Sequence, residues 1–470
     1  MGELREFESY AKEAGESIMG FDRPLLVHHF DCDGCSAGAI AVKALKGAGK
    51  QFSRISVKYL NSKVLVGIAR RRERQIVFLD CGTGIEKFVS KRFGGREIIV
   101  LDHHPKVGGA ASKKSEAPRE IKYEVNPNLF GFDGSWDASG STVAWFSFRR
   151  LLEPSATRLA VVGAVGDTHD VRWNGLRSLN AVPLNEGIAA GEIERKRDLK
   201  MFGRVSRPLV SWLKYSTEPY LPGLTGDMKA CVAFLQDNGV PVEENGRLLH
   251  YFELGDANKK RLSSALITHC VKKGMGEETL QGLIGEVYEF PKEPRDSETS
   301  DSHELSTVLN ACGRWGRSDV AVNLCLEGTK FLARARAIAL RHRARVYEAL
   351  MYAKRVACDA GEFCLIDGRG RISENIIGTV AMIAQGAITT SKPVVALANG
   401  RNVTKVSSRA SKQSVEHGVN LGEAMGEAAF GIGEGGGHRP AAGATIKRGS
   451  EKEFLKKCRE VIRRQLGRKH

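Results

Sequence analysis

Short apolar runs in the first two hundred residues stop abruptly at acids and histidines. Leu25-Leu26-Val27 runs into His28-His29-Phe30-Asp31-Cys32-Asp33-Gly34, and Ile76-Val77-Phe78-Leu79 into Asp80. Ile98-Ile99-Val100-Leu101 runs into Asp102-His103-His104, and Leu159 to Val165 into Gly166-Asp167. Continuous apolar runs of this length suit strands buried on both faces, as in a parallel sheet. The pattern predicts strands at 24–30, 54–60, 75–80, 97–102 and 121–125, and helices at 35–47, 141–153 and 156–166. Strands alternating with helices give an α/β fold, a parallel sheet covered by helices. Gly131 to Gly140 reads as a loop, with Ser139 or Ser141 placed to cap the next helix.

The pattern changes after residue 195. Residues 196–303 are broken by prolines (208, 219, 222, 241, 291 and 294) and carry short helical pieces such as 259–272. They read as an inserted domain that ends in a flexible acidic segment from Glu293 to Glu304. Residues 304–355 hold Glu304-Leu305-Ser306-Thr307-Val308-Leu309-Asn310-Ala311-Cys312-Gly313-Arg314, a helical stretch from Val320 to Leu326, and a long Ala- and Arg-rich helix at about 331–355. That helix reads either as a connector with a solvated basic face or as a nucleic-acid contact. Residues 356–470 alternate strand and helix again, in a smaller α/β domain. Cys364 to Asp367, Val394 to Ala398 and Val403 to Val406 read as strands, and 374–387 and 451–466 as helices. Gly431 to Pro440 reads as a Gly-rich loop.

Length and charge narrow the class. A chain of 470 residues suits two or three domains. The net charge of +16 favours a polyanionic partner such as nucleic acid. No apolar stretch is long enough to span a bilayer, and the N-terminus lacks a signal-peptide core, so a cytoplasmic protein without a membrane partner is expected. The ten cysteines are scattered, mostly in apolar runs, and read as reduced buried thiols. Cys32 and Cys35 have no second pair at zinc-ligand spacing.

Ligands of open α/β sheets bind beyond the carboxyl ends of the strands. His29, Asp31, Asp33, Asp80, His103 and Asp167 are all expected there, from four apolar segments read as strand ends. Singly each has a bland explanation: an Asp after a strand is usually a turn or capping residue, and His28 is better read as a packed strand residue. Together, carboxylates with one imidazole per ion suit Mn²⁺ or Mg²⁺, with the imidazoles tilting the choice toward Mn²⁺. Two such ions clamp the attacking and leaving oxygens of a phosphoryl displacement. His104 is placed to touch the scissile phosphate, and Asp102 to fix a histidine tautomer. A second constellation is Gly435-Gly436-Gly437-His438, with Ser407-Ser408-Arg409 before it and Arg439 after it. Consecutive glycines let backbone N–H groups converge on an anion, and Arg409 and Arg314 suit bidentate phosphate contacts.

These residues resemble the DHH phosphoesterase superfamily. His29-x-Asp31-x-Asp33-Gly34 is similar to its first motif, Asp80 to its second, Asp102-His103-His104 to its third and Asp167 to its fourth. Gly435-Gly436-Gly437-His438 resembles the signature of the accessory DHHA1 domain. Leu309 to Arg314 resembles the Asn-Ala-Ala-Gly-Arg motif of RecJ exonucleases, with Cys312 at the second Ala, and Ser407-x-Arg409 their phosphate-anchoring Ser-x-Arg. The resemblance covers roughly 20–195 and 305–450, and the insertion between them makes the chain look like an archaeal RecJ homologue.

It implies a DHH domain at 1–195, an inserted domain at 196–303 suited to partner binding, a RecJ-like motif and connecting helix at 304–355, and a DHHA1 domain at 356–470. It implies two Mn²⁺ or Mg²⁺ ions, one on His29, Asp31 and Asp80 and the other on Asp33, Asp80, His103 and Asp167. Asn310, Arg314, Ser407, Arg409 and residues 435–438 would hold substrate phosphates. The expected activity is 5′ to 3′ exonucleolytic hydrolysis of single-stranded DNA, and of RNA as a further substrate, in replication or repair. The GINS replisome complex is the expected protein partner. Two other readings stay open: a phosphodiesterase for cyclic dinucleotides or very short oligonucleotides, and a replisome scaffold.

Overall fold

Five strands form the first sheet in the order β2-β1-β3-β4-β5: β1 Leu25–His29, β2 Ser53–Val57, β3 Gln75–Leu79, β4 Glu97–Leu101 and β5 Ile121–Val125. All four neighbouring pairs are parallel. The computed structural model of the protein describes residues 2–106, 119–217, 219–275, 277–388 and 391–467. Strand alternation sends Leu26, Val77, Leu79, Ile99 and Leu101 into one apolar core and Leu25, Val27, Ile76, Phe78, Ile98 and Val100 into another. Burial on both faces is why these runs carry no polar alternation. Chain order reverses between β1 and β3, so the carboxyl ends of those two strands flank the switch point, where open α/β sheets bind ligands.

Helix Cys32–Gly47 follows β1 directly. Asp31 caps it by accepting from the Gly34 N–H at 3.1 Å. It is buried along most of its length and packs against helices Gly140–Phe148 and Thr157–Gly166. Ser139, not Ser141, caps Gly140–Phe148. That helix stops short of the expected 153, because Glu153 precedes Pro154 and takes an extended conformation.

The chain divides into two compact units. The first comprises residues 1–209, 247–255 and 281–339, the second 210–246, 256–280 and 340–470. The segment expected as one inserted domain at 196–303 is therefore shared between them. Its ends form an antiparallel ribbon, Glu194–Leu199 with Ile284–Glu289, which returns the chain to the first unit. The acidic stretch before Glu304 is not the flexible segment expected. Ser297 to Ser302 and Glu304 are buried. Arg336 pairs with Glu298 at 2.6 Å and Arg204 with Asp301 at 2.9 Å, while Glu304 accepts from the Val205 N–H at 2.7 Å and from Ser206. Charges that suggested solvent are paired with cations from distant sequence.

Helix Thr329–Val356 carries the chain from the first unit to the second. The second unit holds a six-stranded mixed sheet in the order 358–359, 364–367, 394–399, 403–409, 441–447, 433–437. Helices Leu421–Ala429 and Glu451–Gly467 contribute Met425, Phe454 and Ile462 to one of its cores, and helix Ile377–Ala387 packs in the other. The expected Gly-rich loop is corrected here: Gly433–Gly437 is an edge strand. Its glycines let helix Leu421–Ala429 lie almost on the strand, since a Cβ on Gly435 would meet the Met425 backbone.

Candidate metal centre

The ends of β1, β3 and β4 bring five of the six predicted metal ligands into one cluster, and a helix end brings the sixth. His29 ends β1 and Asp31 opens the helix after it; Asp33 lies in that helix's first turn. Asp80 follows β3 with φ of +57°, a left-handed backbone that turns its carboxylate inward. Asp102 and His103 follow β4. Asp167 follows helix Thr157–Gly166, the helix expected at 156–166, so the reading of its apolar run as a strand end is corrected. The apolar run before it is buried between helices, and a buried helix segment reads like a buried strand in sequence.

His29 Nδ1 lies 2.8 Å from Asp31 Oδ2 and 3.4 Å from Asp80 Oδ2. His103 Nε2 lies 3.2 Å from Asp80 Oδ1, 3.3 Å from Asp167 Oδ2 and 3.9 Å from Asp33 Oδ2. Donor atoms converge in four groups among the described residues: His29-Asp31-Asp80 and Asp33-Asp80-His103-Asp167, which share Asp80, and two that add Asp102 and His104 to Asp80 and His103, and His169 to His103 and Asp167. Both Asp80 oxygens, His29 Nδ1 and His103 Nε2 are buried without a well-formed hydrogen bond. Buried polar atoms are normally satisfied, and a cation among them would satisfy all four. Mixed carboxylate oxygen and imidazole nitrogen fits a divalent ion such as Mn²⁺ or Mg²⁺.

Electrostatics follow the same geometry. Burial pushes the Asp31 and Asp33 carboxyls up, and the charge on Asp80 adds to it. Asp80 moves the other way, because His103 and His29 outweigh its burial. Burial alone would lower both imidazoles, but Asp31 and Asp80 raise His29 to about 11, and Asp167 and Asp80 raise His103. Protons on the imidazoles thus partly neutralise the carboxylates. His28, by contrast, is packed in the strand and driven down to about 4 by burial.

Neighbouring groups fix the cluster. His103 Nδ1 donates to the Gly134 carbonyl at 2.6 Å, which turns Nε2 toward the carboxylates. Asp33 accepts from the Gly140 N–H at 2.5 Å and the Ser141 N–H at 2.9 Å. Asp102 accepts from the Thr83 N–H and from His104 Nδ1, both at 2.8 Å. The tautomer it fixes is that of His104, which is half-exposed. Burial lowers the His104 pKa, but Asp102 more than compensates, raising it to about 9.

Sequence reasoning missed two features. Gly34, Gly140, Gly163 and Gly166 have no room for a Cβ: one on Gly34 would sit 2.5 Å from His29, and one on Gly140 2.5 Å from Asp80. Their grouping around the motif acids was the available signal. His169 lies against His103 with ring centroids 5.4 Å apart, and is driven down to about 4 by burial and the His103 charge. Nothing in the sequence separates it from an ordinary loop histidine.

The expected phosphate-binding residues fall in both units. Asn310 and Arg314 lie on helix Ser302–Arg314 of the first. The Asn310 side chain accepts from the Cys32 N–H at 2.9 Å and donates to the Gly166 carbonyl at 3.4 Å. It ties together two of the loops that carry the acids. In the second unit, Ser407 and Arg409 lie on strand 403–409, both close to Gly378 in the first turn of helix Ile377–Ala387. Ser407, Gly443 and Gly436 are opposite one another across three strands. Gly435 and Gly437 flank Gly436 on the edge strand, and exposed His438 begins the turn that follows it.

Residues 201–284 match the DHH-CID domain and residues 364–464 the DHHA1 domain. The chain thus carries matches to two domains of the DHH superfamily, and its fold is RecJ-like. An uncharacterised protein of Methanocaldococcus jannaschii is 29% identical over the whole of both chains. An exonuclease RecJ bound to manganese superimposes with a TM-score of 0.58 at 17% identity, over 99% of this chain and 96% of that one. CDC45 from Entamoeba histolytica gives 0.62 at 12% identity, over 98% of each chain. RecJ from Thermus thermophilus in complex with Mn²⁺ gives 0.58 at 17% identity, and there the DHH chain, 98% covered, spans only 55% of the relative's length. At these identities the solved structures share the fold. The fold and the acidic clusters together suit a metal-dependent phosphoesterase. Among the described residues, no helix is long and apolar enough to cross a membrane.

Proposed function

We propose that this DHH protein is a metal-dependent exonuclease that hydrolyses single-stranded DNA from the 5′ end, and RNA as a further substrate. One observation carries the reading: two donor sets share the buried carboxylate of Asp80 at the switch point of a parallel sheet. Divalent ions bound there would supply positive charge to the phosphoryl oxygens and lower the pKa of water. His29, Asp31 and Asp80 would hold one ion, and Asp33, Asp80, His103 and Asp167 the other. His104, with Nδ1 committed to Asp102, presents Nε2 to a phosphate oxygen. Arg314, Ser407, Arg409 and the Gly435–His438 segment are the proposed phosphate contacts. The excess of Lys and Arg supports a long polyanion over a dinucleotide.

A Mn²⁺-dependent digest of single strands, one DNA and one RNA, labelled at either end, tests this. Mononucleotides released first from the 5′ end of DNA are expected. Loss from the 3′ end of RNA would move the role to RNA turnover, and cleavage restricted to dinucleotides would favour the small phosphodiesterase. A second reading, a replisome subunit that contacts GINS, draws on the likeness to CDC45 over 98% of both chains. Absence of any product with any divalent metal would favour it.

A further inference from the structure

Beside the metal centre an arginine lies between two tryptophans. The Arg172 guanidinium is 4.7 Å from the centroid of Trp173 and 5.5 Å from that of Trp136. Trp136 lies 6.5 Å from the ring of His169, which in turn lies 5.4 Å from the ring of His103. The stack is thus two ring contacts from the carboxylate cluster. Trp173 is 49% exposed and Val171 57% exposed, on a loop whose base is firmly held. The Leu176 N–H donates to the Tyr288 hydroxyl at 2.7 Å, the Gly175 N–H to the Asp170 carbonyl at 2.7 Å, and Asp170 pairs with His303 at 2.9 Å and with Lys200. Thr168, a β-branched residue, is held at φ of +62°, a strained backbone. A pinned, strained loop that lifts a tryptophan into solvent gains nothing for the core.

We propose that Trp173, Arg172 and Trp136 form a nucleobase-stacking shelf, which takes the base of a nucleotide whose phosphodiester lies at the carboxylate cluster. The inference rests on the nuclease reading and adds to it a recognition element for single strands. A flat π-face backed by a guanidinium takes any of the bases, and a base locked in a duplex cannot reach it. Asp133, 3.7 Å from Arg172, holds the guanidinium in place.

Binding of a labelled single strand of about a dozen nucleotides by the full chain in EDTA, followed by fluorescence anisotropy, tests the shelf without relying on catalysis. A matched strand carrying abasic residues is the second probe. Trp173→Ala is expected to weaken binding of the normal strand about tenfold, and Trp173→Phe by about twofold or less. Wild type and Trp173→Ala should bind the abasic strand equally. Wild-type affinity of Trp173→Ala for the normal strand would overturn the proposal, as would an equal deficit on both strands or no binding by the wild type. A protein that cleaves nothing yet shows the base-dependent deficit would sink the nuclease reading and keep the shelf.

Discussion

Replacing Asp80 by Asn removes one charge from both donor sets at once and little else. Asn tolerates the left-handed backbone that residue 80 adopts, whereas Ala would add strain there. The quantity to follow is the rise in melting temperature when Mn²⁺ replaces EDTA. At a hundredfold excess over Kd, a ligand stabilises the folded state by about 2.7 kcal/mol. The unit that holds the cluster has roughly 280 residues. At about 2.1 cal/mol/K per residue its unfolding entropy is about 0.6 kcal/mol/K, so the expected rise is about 5 °C for each ion bound.

Asp80→Asn should lose nearly all of that rise, because neither set keeps its shared carboxylate. Asp31→Asn should keep a part of it. Asn still caps helix Cys32–Gly47, and the set of Asp33, Asp80, His103 and Asp167 is left whole. Differential scanning fluorimetry with and without metal gives the double difference and cancels any change in metal-free stability. A wild-type rise in Asp80→Asn would refute the shared ligand, and an Asp31→Asn rise smaller than that of Asp80→Asn would refute the two-set arrangement.

Three further outcomes are expected. His29 and His103 have raised pKa values without metal and are charged at neutral pH, yet an ion needs their lone pairs. Mn²⁺ affinity should therefore rise with pH between about 6 and 8, by about tenfold per unit for each proton displaced; calorimetry in buffers of different ionisation enthalpy counts those protons, and a flat profile would contradict the assignment. Gly140→Ala should destabilise the protein by about 1–3 kcal/mol and shrink the Mn²⁺ effect, because its Cβ would press on Asp80; Gly47→Ala, where nothing lies within 4 Å, is the control that should leave both unchanged. His104→Ala should lower turnover by about a hundredfold or more while the Mn²⁺-induced rise persists; loss of that rise would make His104 a ligand instead.

Much of the site was legible because strand ends advertise themselves. An apolar run that stops at Asp80 or at Asp102-His103-His104 marks both a buried strand and what it delivers. The helix expected at 156–166 is the one that leads into Asp167; only the reading of the same apolar run as a strand end fails, since burial on all sides erases the period that distinguishes helix from strand. The insertion was legible only in outline. Its partition between two units depends on pairings such as Glu194–Leu199 with Ile284–Glu289, far apart in sequence. The acidic stretch before Glu304 misled for the same reason: its partners, Arg204 and Arg336, are distant, and composition cannot show that a charge is paired.

Asn310 shows how the two kinds of information combine. In sequence it belongs to a segment suited to phosphate binding. In the fold its amide spans the first turn of helix Cys32–Gly47 and the end of helix Thr157–Gly166, the elements that carry Asp33 and lead into Asp167. Both aspartates belong to the second donor set and neither to the first. A loosened Asn310 should therefore disturb the second set at two points and the first only through Asp31, whose peptide carries the Cys32 N–H. Asn310→Ala leaves the Cys32 N–H without its acceptor, at a cost of about 1–3 kcal/mol. The consequence is asymmetric: titration with Mn²⁺ should show one site weakened more than the other. Two sites weakened alike, or neither, would mean that the amide holds the fold and not the geometry of one ion.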